Sequence, residues 1–225
     1  MADQVKKGVI LEFDFTVIDG ARLLFDTAVT FMKELDGISF DRRAEAQYLV
    51  GRELEDGLRD FFAAVKTKKT PQKAARDLAA AFKKALDAAV PTAITPGFKN
   101  FVKALLDRDI TLVVTTRAEP ELVKQAFAGL GDEEHIVIYP ETSTCYGTPR
   151  GDSWRRACID THIRYQSAIA VTGNSAGVKA ALMSGMGSIA APHDHVAYQD
   201  FGGADAEIAD FNAAAAKRAI ALLRL

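Results

Sequence analysis

The sequence predicts an α/β protein, a doubly wound parallel sheet with an all-helical segment inserted after the first strand. Three observations carry that expectation. Val9-Ile10-Leu11 is a short apolar run of the kind found in a buried parallel strand. From Ala21 to Ala89 apolar residues recur at three- and four-residue steps. Beyond Phe98, short apolar runs alternate with helical patterns, which is the mark of successive βαβ units. A chain of 225 residues has room for one such domain and a smaller insert. The expected division is 1–18 with 92–225 for the core and 19–91 for the insert.

The first strand runs into G-V-I-L-E-F-D-F-T, which places Glu12, Asp14 and Thr16 at alternate positions. On an extended backbone residues i and i+2 share a side, so the two carboxylates would stand together at the strand's carboxyl end. Open α/β sheets bind ligands there. Capping of the following helix is the plainer alternative.

Leu24, Phe25, Ala28, Phe31, Met32 and Leu35 mark the next helix, which Asp36-Gly37 breaks. A second helical run, Arg43 to Val50, stops at Gly51, and a third carries Leu54, Leu58, Phe61, Phe62 and Val65. After a basic loop, Thr70 is placed to cap and Pro71 to open a long Ala- and Lys-rich helix, Gln72 to Ala89. Four or five helices are therefore expected before Thr95-Pro96-Gly97 returns the chain to the sheet. A helix Phe98–Leu106 and a strand Ile110–Val114, ending in Thr115-Thr116, come next. Then follow a helix 119–128, a strand 136–138, a Gly/Pro-rich loop 146–151 and a helix 152–164. A strand 168–171, a helix 178–185 and a last strand 188–191 complete the pattern.

Composition narrows the function. The net charge is −2, and no Lys/Arg block exceeds three residues, so a nucleic-acid partner is not expected. No apolar run is long enough to span a bilayer. The N-terminal M-A-D-Q-V-K-K leads directly into the first strand, so no signal peptide is expected. Two cysteines, Cys145 and Cys158, suit a reducing cytoplasm better than a disulfide scaffold.

The segment from Gly8 resembles the first motif of the haloacid dehalogenase (HAD) superfamily of phosphatases. That motif is Asp-x-Asp-Gly-Thr/Val after an apolar strand. The branch it is most similar to, that of β-phosphoglucomutase and phosphoglycolate phosphatase, carries a helical cap at this place in the chain. The resemblance implies a HAD-like (Rossmannoid) core. It also implies that residue 12 is the nucleophile position, that Asp14 is the acid/base, and that both carboxylates are magnesium ligands. Here the nucleophile position holds Glu12, and the glycine position holds Phe15.

The second motif, an apolar strand ending in a phosphate-holding hydroxyl, is matched by Leu112-Val113-Val114-Thr115. Thr16, Thr116 and Arg117 join it as anion-contact candidates. The third motif's lysine falls on Thr148, with Arg150 two residues on; a rigid guanidinium is a poor replacement for an ammonium at a tight site. The magnesium-binding acids of the fourth motif fall on Thr172 and Gly173, and Asn174 is the nearest oxygen donor.

Phosphoryl transfer to a carboxylate needs an in-line nucleophile, a cation and an acid for the leaving group. The extra methylene of Glu12 moves its oxygens by on the order of 1 Å, a misplacement that can cost ~100-fold. Magnesium is expected only if some activity is retained, and otherwise no cofactor. Two classes stay open. One is a catalytically impaired HAD homologue that holds a small phosphorylated or anionic molecule, or a protein partner, between cap and core. The other is a weak magnesium-dependent phosphomonoesterase using Glu12 and Asp14.

His193-Asp194-His195, after the last predicted strand, offers a partial metal pattern that lacks further ligands. Arg52 is another anion candidate, set against a solvated helix-face role. Trp154 and Phe15 are expected to pack.

Overall fold

The computed structural model describes residues 6–130, 133–141, 145–146 and 151–223. The chain opens with strand β1 (Lys6–Glu12), followed at once by one helical turn, α1 (Phe13–Thr16). The insert comprises α2 (Gly20–Asp36), α3 (Arg42–Tyr48), β2 (Arg52–Glu53), α4 (Leu54–Ala64) and α5 (Pro71–Ala89). The chain then returns through α6 (Phe98–Leu106), β3 (Thr111–Thr116), α7 (Pro120–Ala126), β4 (Ile136–Pro140) and β5 (Cys145–Tyr146). It closes with α8 (Gly151–Asp160), β6 (Ile163–Thr172), α9 (Ser175–Ser184), β7 (Gly187–Ala190), β8 (Ala206–Glu207) and α10 (Ala213–Leu222).

Six strands form one parallel sheet in the order β4-β3-β1-β6-β7-β8. The chain winds from β1 outward through β3 to β4, then crosses back to β6 on the other side of β1. The strand order therefore reverses at β1, and in sheets of this kind the crevice for a ligand opens at the carboxyl end of that reversal. The register brings Glu12 opposite Thr115 on β3, while Leu11 lies opposite Val171 on β6. Residues 12, 115 and 172 thus meet at one end of three adjacent strands.

Alternation along β1 divides the core. Val9 and Leu11 face the larger cluster, with Phe13, Phe98, Phe101, Phe127 and Phe211. Ile10 faces a smaller one built on Trp154, Ala157, Cys158 and Ala170. Trp154 is fully buried there, as expected of a packing residue.

The insert is a helical layer whose apolar stripes meet each other. Met32 of α2, Leu58 of α4, and Leu78, Phe82 and Leu86 of α5 are all fully buried. Thr70 and Pro71 start α5 as the sequence predicts, although the Thr70 side chain makes no capping bond. The two connections to the sheet are pinned together, because Thr95 donates both its amide (2.9 Å) and its hydroxyl (2.8 Å) to the carbonyl of Val17.

Several boundaries differ from expectation. The backbone is helical, not extended, from Phe13, so Asp14 does not continue the strand face of Glu12. The helix expected to reach Arg164 ends at Asp160, and the chain turns at His162 with φ 59°. Strand β6 therefore starts at Ile163 and runs ten residues. Strand 188–191 is not the last, since β8 pairs beyond β7. The insert also holds a two-residue strand, β2, which pairs antiparallel with β5. Among the described residues no helix is long and apolar enough to cross a membrane.

Candidate functional site

Glu12 ends β1 and is buried at 3% exposure. Its carboxylate points across to the end of β6 and to the start of α9. The Thr172 hydroxyl donates to Oε2 at 2.5 Å, and the Asn174 amide Nδ2 lies 3.2 Å from both oxygens. The Gly173 backbone N–H is 3.4 Å from Oε2. Asn174 is at the same time the N-cap of α9, its Oδ1 accepting the amide of Gly177 at 2.8 Å. Burial pushes the Glu12 carboxyl up to about 7, opposed by the Thr172 hydrogen bond and the Arg117 charge. Burial thus favours the neutral form of Glu12 over the carboxylate.

Asp14 is tied to the other side of the reversal. The Thr116 hydroxyl donates to Oδ1 at 2.6 Å, the Arg117 amide to Oδ2 at 2.8 Å, and the Arg117 guanidinium lies 3.6 Å from Oδ2. Burial raises its carboxyl above the usual range, and Arg117 and Thr116 hold against that. Arg117 pairs with Asp14, its charge also favours the ionised form of Glu12, and its guanidinium lies over the Phe15 ring. The two acids of the first strand end are near neighbours, yet each has its own set of donors.

The remaining anion-contact candidates divide. Thr16 turns back to donate to the carbonyl of Glu12 at 2.6 Å, and Thr115 donates to the carbonyl of Leu11 at 3.3 Å. Each hydroxyl proton is thus committed to a main-chain carbonyl. Thr148 and Arg150 lie outside the described residues. Arg52 pairs with Asp60 at 2.5 Å on the surface of the insert. The two histidines are turned to different partners, His193 to the carbonyl of Thr16 at 3.0 Å and His195 to Glu45 of the insert.

Phe15 is 3% exposed and sits between the two halves, packed on Phe82 of α5 at 6.2 Å between centroids. Above it a pocket remains, walled by Phe15, Leu24, Glu45, Leu49, Asn174 and Val196, with a volume of about 30 Å³. That is room for about two waters.

Sequence reasoning missed two residues that shape this end of the molecule. Asn174 reads as a weak carboxylate substitute, whereas its amide is turned as a donor to Glu12. Glu45 is buried at 3%, and its one visible signal was the Arg42-x-x-Glu45 spacing on an otherwise Ala-rich helix.

The donor set does not fit magnesium. A hard cation needs oxygen lone pairs, usually carboxylates. What faces Glu12 here is a hydroxyl, an amide NH₂ and a backbone N–H, three groups that donate. An acid cannot be placed at residue 173 without moving the main chain. A Cβ there would lie 1.6 Å from the carbonyl oxygen of Phe15.

The whole-chain architecture is shared with solved structures at low identity. CbbY from Rhodobacter sphaeroides in complex with phosphate is 18% identical, with a TM-score of 0.70, covering 98% of this chain and all of that one. β-Phosphoglucomutase from Clostridium difficile is 14% identical at a TM-score of 0.73, covering 98% of each chain. A HAD hydrolase of family IA, variant 3, from Entamoeba histolytica is 18% identical at 0.73, covering 97% of this chain and 100% of that one. No curated protein sequence matches. The family model for haloacid dehalogenase-like hydrolases matches residues 9–191. The chain thus belongs to the haloacid dehalogenase-like hydrolase family.

Proposed function

We propose that this chain is a HAD-fold protein in which phosphoryl transfer has been lost, and which acts through binding. In this reading 1–18 with 92–225 form the core, 19–91 form the cap, and the protein works in the cytoplasm. The observation that carries the reading is the ligation of Glu12. At the place where the family pattern sets a metal between carboxylates, Thr172 and Asn174 donate hydrogen bonds to Glu12 from positions where that pattern has acids or their neighbours. Hydrogen bonds have taken over the neutralising task of a cation, which ties the carboxylate down and removes the need for a metal.

Three further facts support it. The burial that raises Glu12 to about 7 favours its protonated form and so lowers the fraction present as carboxylate near neutral pH. Arg117 engages Asp14 and competes with a proton-transfer role there. Glu12 and Asp14 are 3% and 1% exposed, and the small pocket beside them is walled by Phe15 and Asn174 rather than by either acid. A small phosphorylated ligand, such as the phosphate held by CbbY, would require the cap to move. A protein partner would not.

Calorimetric titration with Mg²⁺ in the presence of inorganic phosphate tests the reading. No heat beyond dilution is expected. A saturable magnesium signal that disappears in Asp14→Asn would overturn it in favour of a weak phosphomonoesterase using Glu12 and Asp14.

A further inference from the structure

The cap meets the core beside the closed pocket through a cluster of charged and titratable side chains. From α3 of the insert, Arg42 Nη1 donates to Glu45 Oε2 at 2.8 Å. The same guanidinium crosses to the core, where Nη1 meets His195 Nε2 and Nη2 donates to the His195 carbonyl. His195 Nε2 lies 3.1 and 3.2 Å from the two oxygens of Glu45. The side chains of Glu45 and His195 are only 4% and 7% exposed, while Arg42 covers them from the water side. Aromatic rings frame it: Phe25 lies 5.4 Å from the His195 ring, and the Arg42 guanidinium lies over Phe25 and Tyr198.

We propose that Arg42, Glu45 and His195 form a latch that holds the cap shut over Glu12 and Asp14. The inference rests on the binding-protein reading above and assigns a regulation to the same crevice. Its physical basis is the difference between apolar and ionic contact. Apolar faces can slide while staying buried, whereas a desolvated cluster of directional bonds fixes one relative position. Removing one member leaves a buried charge or acceptor without its partner. Opening the cap must break the Arg42 bond to the His195 carbonyl together with the one bond that His195 Nε2 makes, accepted from Arg42 or donated to Glu45. Glu45 is also a wall of the 30 Å³ pocket, so the residue that bolts the cap also lines the space beside Phe15. Other links between cap and core lie elsewhere, among them Lys83 to Glu119 at 3.4 Å, the Glu119 amide to Asp87 at 2.7 Å, and the pairing of β2 with β5. None of these fastens α3 to the turn at 194–196.

Hydrogen exchange measured by mass spectrometry on the full chain tests the latch, using His195→Ala and Arg42→Ala. His195→Ala leaves the Arg42–Glu45 pair within α3 intact, and Arg42 is 42% exposed, so at least one variant should fold. Amides of residues 42–50 and 193–199 are expected to exchange about tenfold faster in both variants, with β1 and β3 unchanged. Wild-type rates in both segments would overturn the proposal, and so would an equal acceleration throughout the chain. The two readings are separated by assaying the same variants for p-nitrophenyl phosphate turnover. Turnover that appears only when the latch is cut would refute the loss of catalysis and leave the latch standing.

Discussion

Asn174 serves Glu12 and α9 with one side chain: Nδ2 lies 3.2 Å from both Glu12 oxygens, while Oδ1 accepts the Gly177 amide at 2.8 Å. Asn174→Ala should remove a helix cap, costing about 1 kcal/mol, and a donor to a buried acid, costing about 1–3 kcal/mol. Asn174→Asp keeps the cap but sets a second carboxylate against Glu12. Its loss of stability should therefore be larger at pH 8 than at pH 5. Urea denaturation of both variants at the two pH values checks this, and equal losses for Asn174→Asp at both would rule the contact out.

The raised carboxyl of Glu12 makes a pH prediction whose sign is fixed. Its value in the fold is about 7 against 4.5 when unburied, so the protonated form favours the folded state. Its contribution is complete below the unfolded value and is lost as pH rises through 7. Relative to Glu12→Gln, the wild type should lose on the order of 3 kcal/mol between pH 5 and pH 8. Comparison with the variant cancels Glu45, which burial also lifts to about 7. A pH-independent difference would mean that Glu12 is solvated.

Gly173 is a position at which any side chain is blocked sterically by the Phe15 carbonyl. Gly173→Ala and Gly173→Asp should both cost about 3 kcal/mol or more, because backbone has to move off the Phe15 carbonyl. Thermal melts decide it. A Gly173→Asp protein as stable as wild type would show that an acid is tolerated there.

Phe82 is fully buried in α5 and packs on Phe15 of the core. Phe82→Ala should cost about 3–5 kcal/mol. The cap and the sheet share one large apolar cluster, so the loss should appear in a single unfolding transition. Two separated transitions in differential scanning calorimetry would contradict shared packing.

Much of this fold could be read from local pattern. Phe98–Leu106 was found to the residue, because Pro96-Gly97 punctuates its start and the apolar face is regular. The Arg164 boundary failed because the chain turns at His162 with positive φ, without the glycine that usually announces such a turn. Phe13–Thr16 failed because F-D-F-T alternates like a strand and yet folds as a helical turn. The site was legible as a set of substitutions, but not as a set of contacts. Thr172 and Asn174 are 160 and 162 positions from Glu12, and which way a buried acid turns depends on strand register. The same holds for His195, which meets Glu45 across 150 positions.

The most direct test of the central claim is p-nitrophenyl phosphate turnover at saturating Mg²⁺, with wild type, Glu12→Asp and Asp14→Asn side by side. The hydrogen-bonded Glu12 and the donor groups of Thr172, Gly173 and Asn174 around it predict no turnover above buffer in any of the three. Magnesium-dependent turnover by the wild type that is abolished in Asp14→Asn would contradict the account and make Glu12 a working nucleophile.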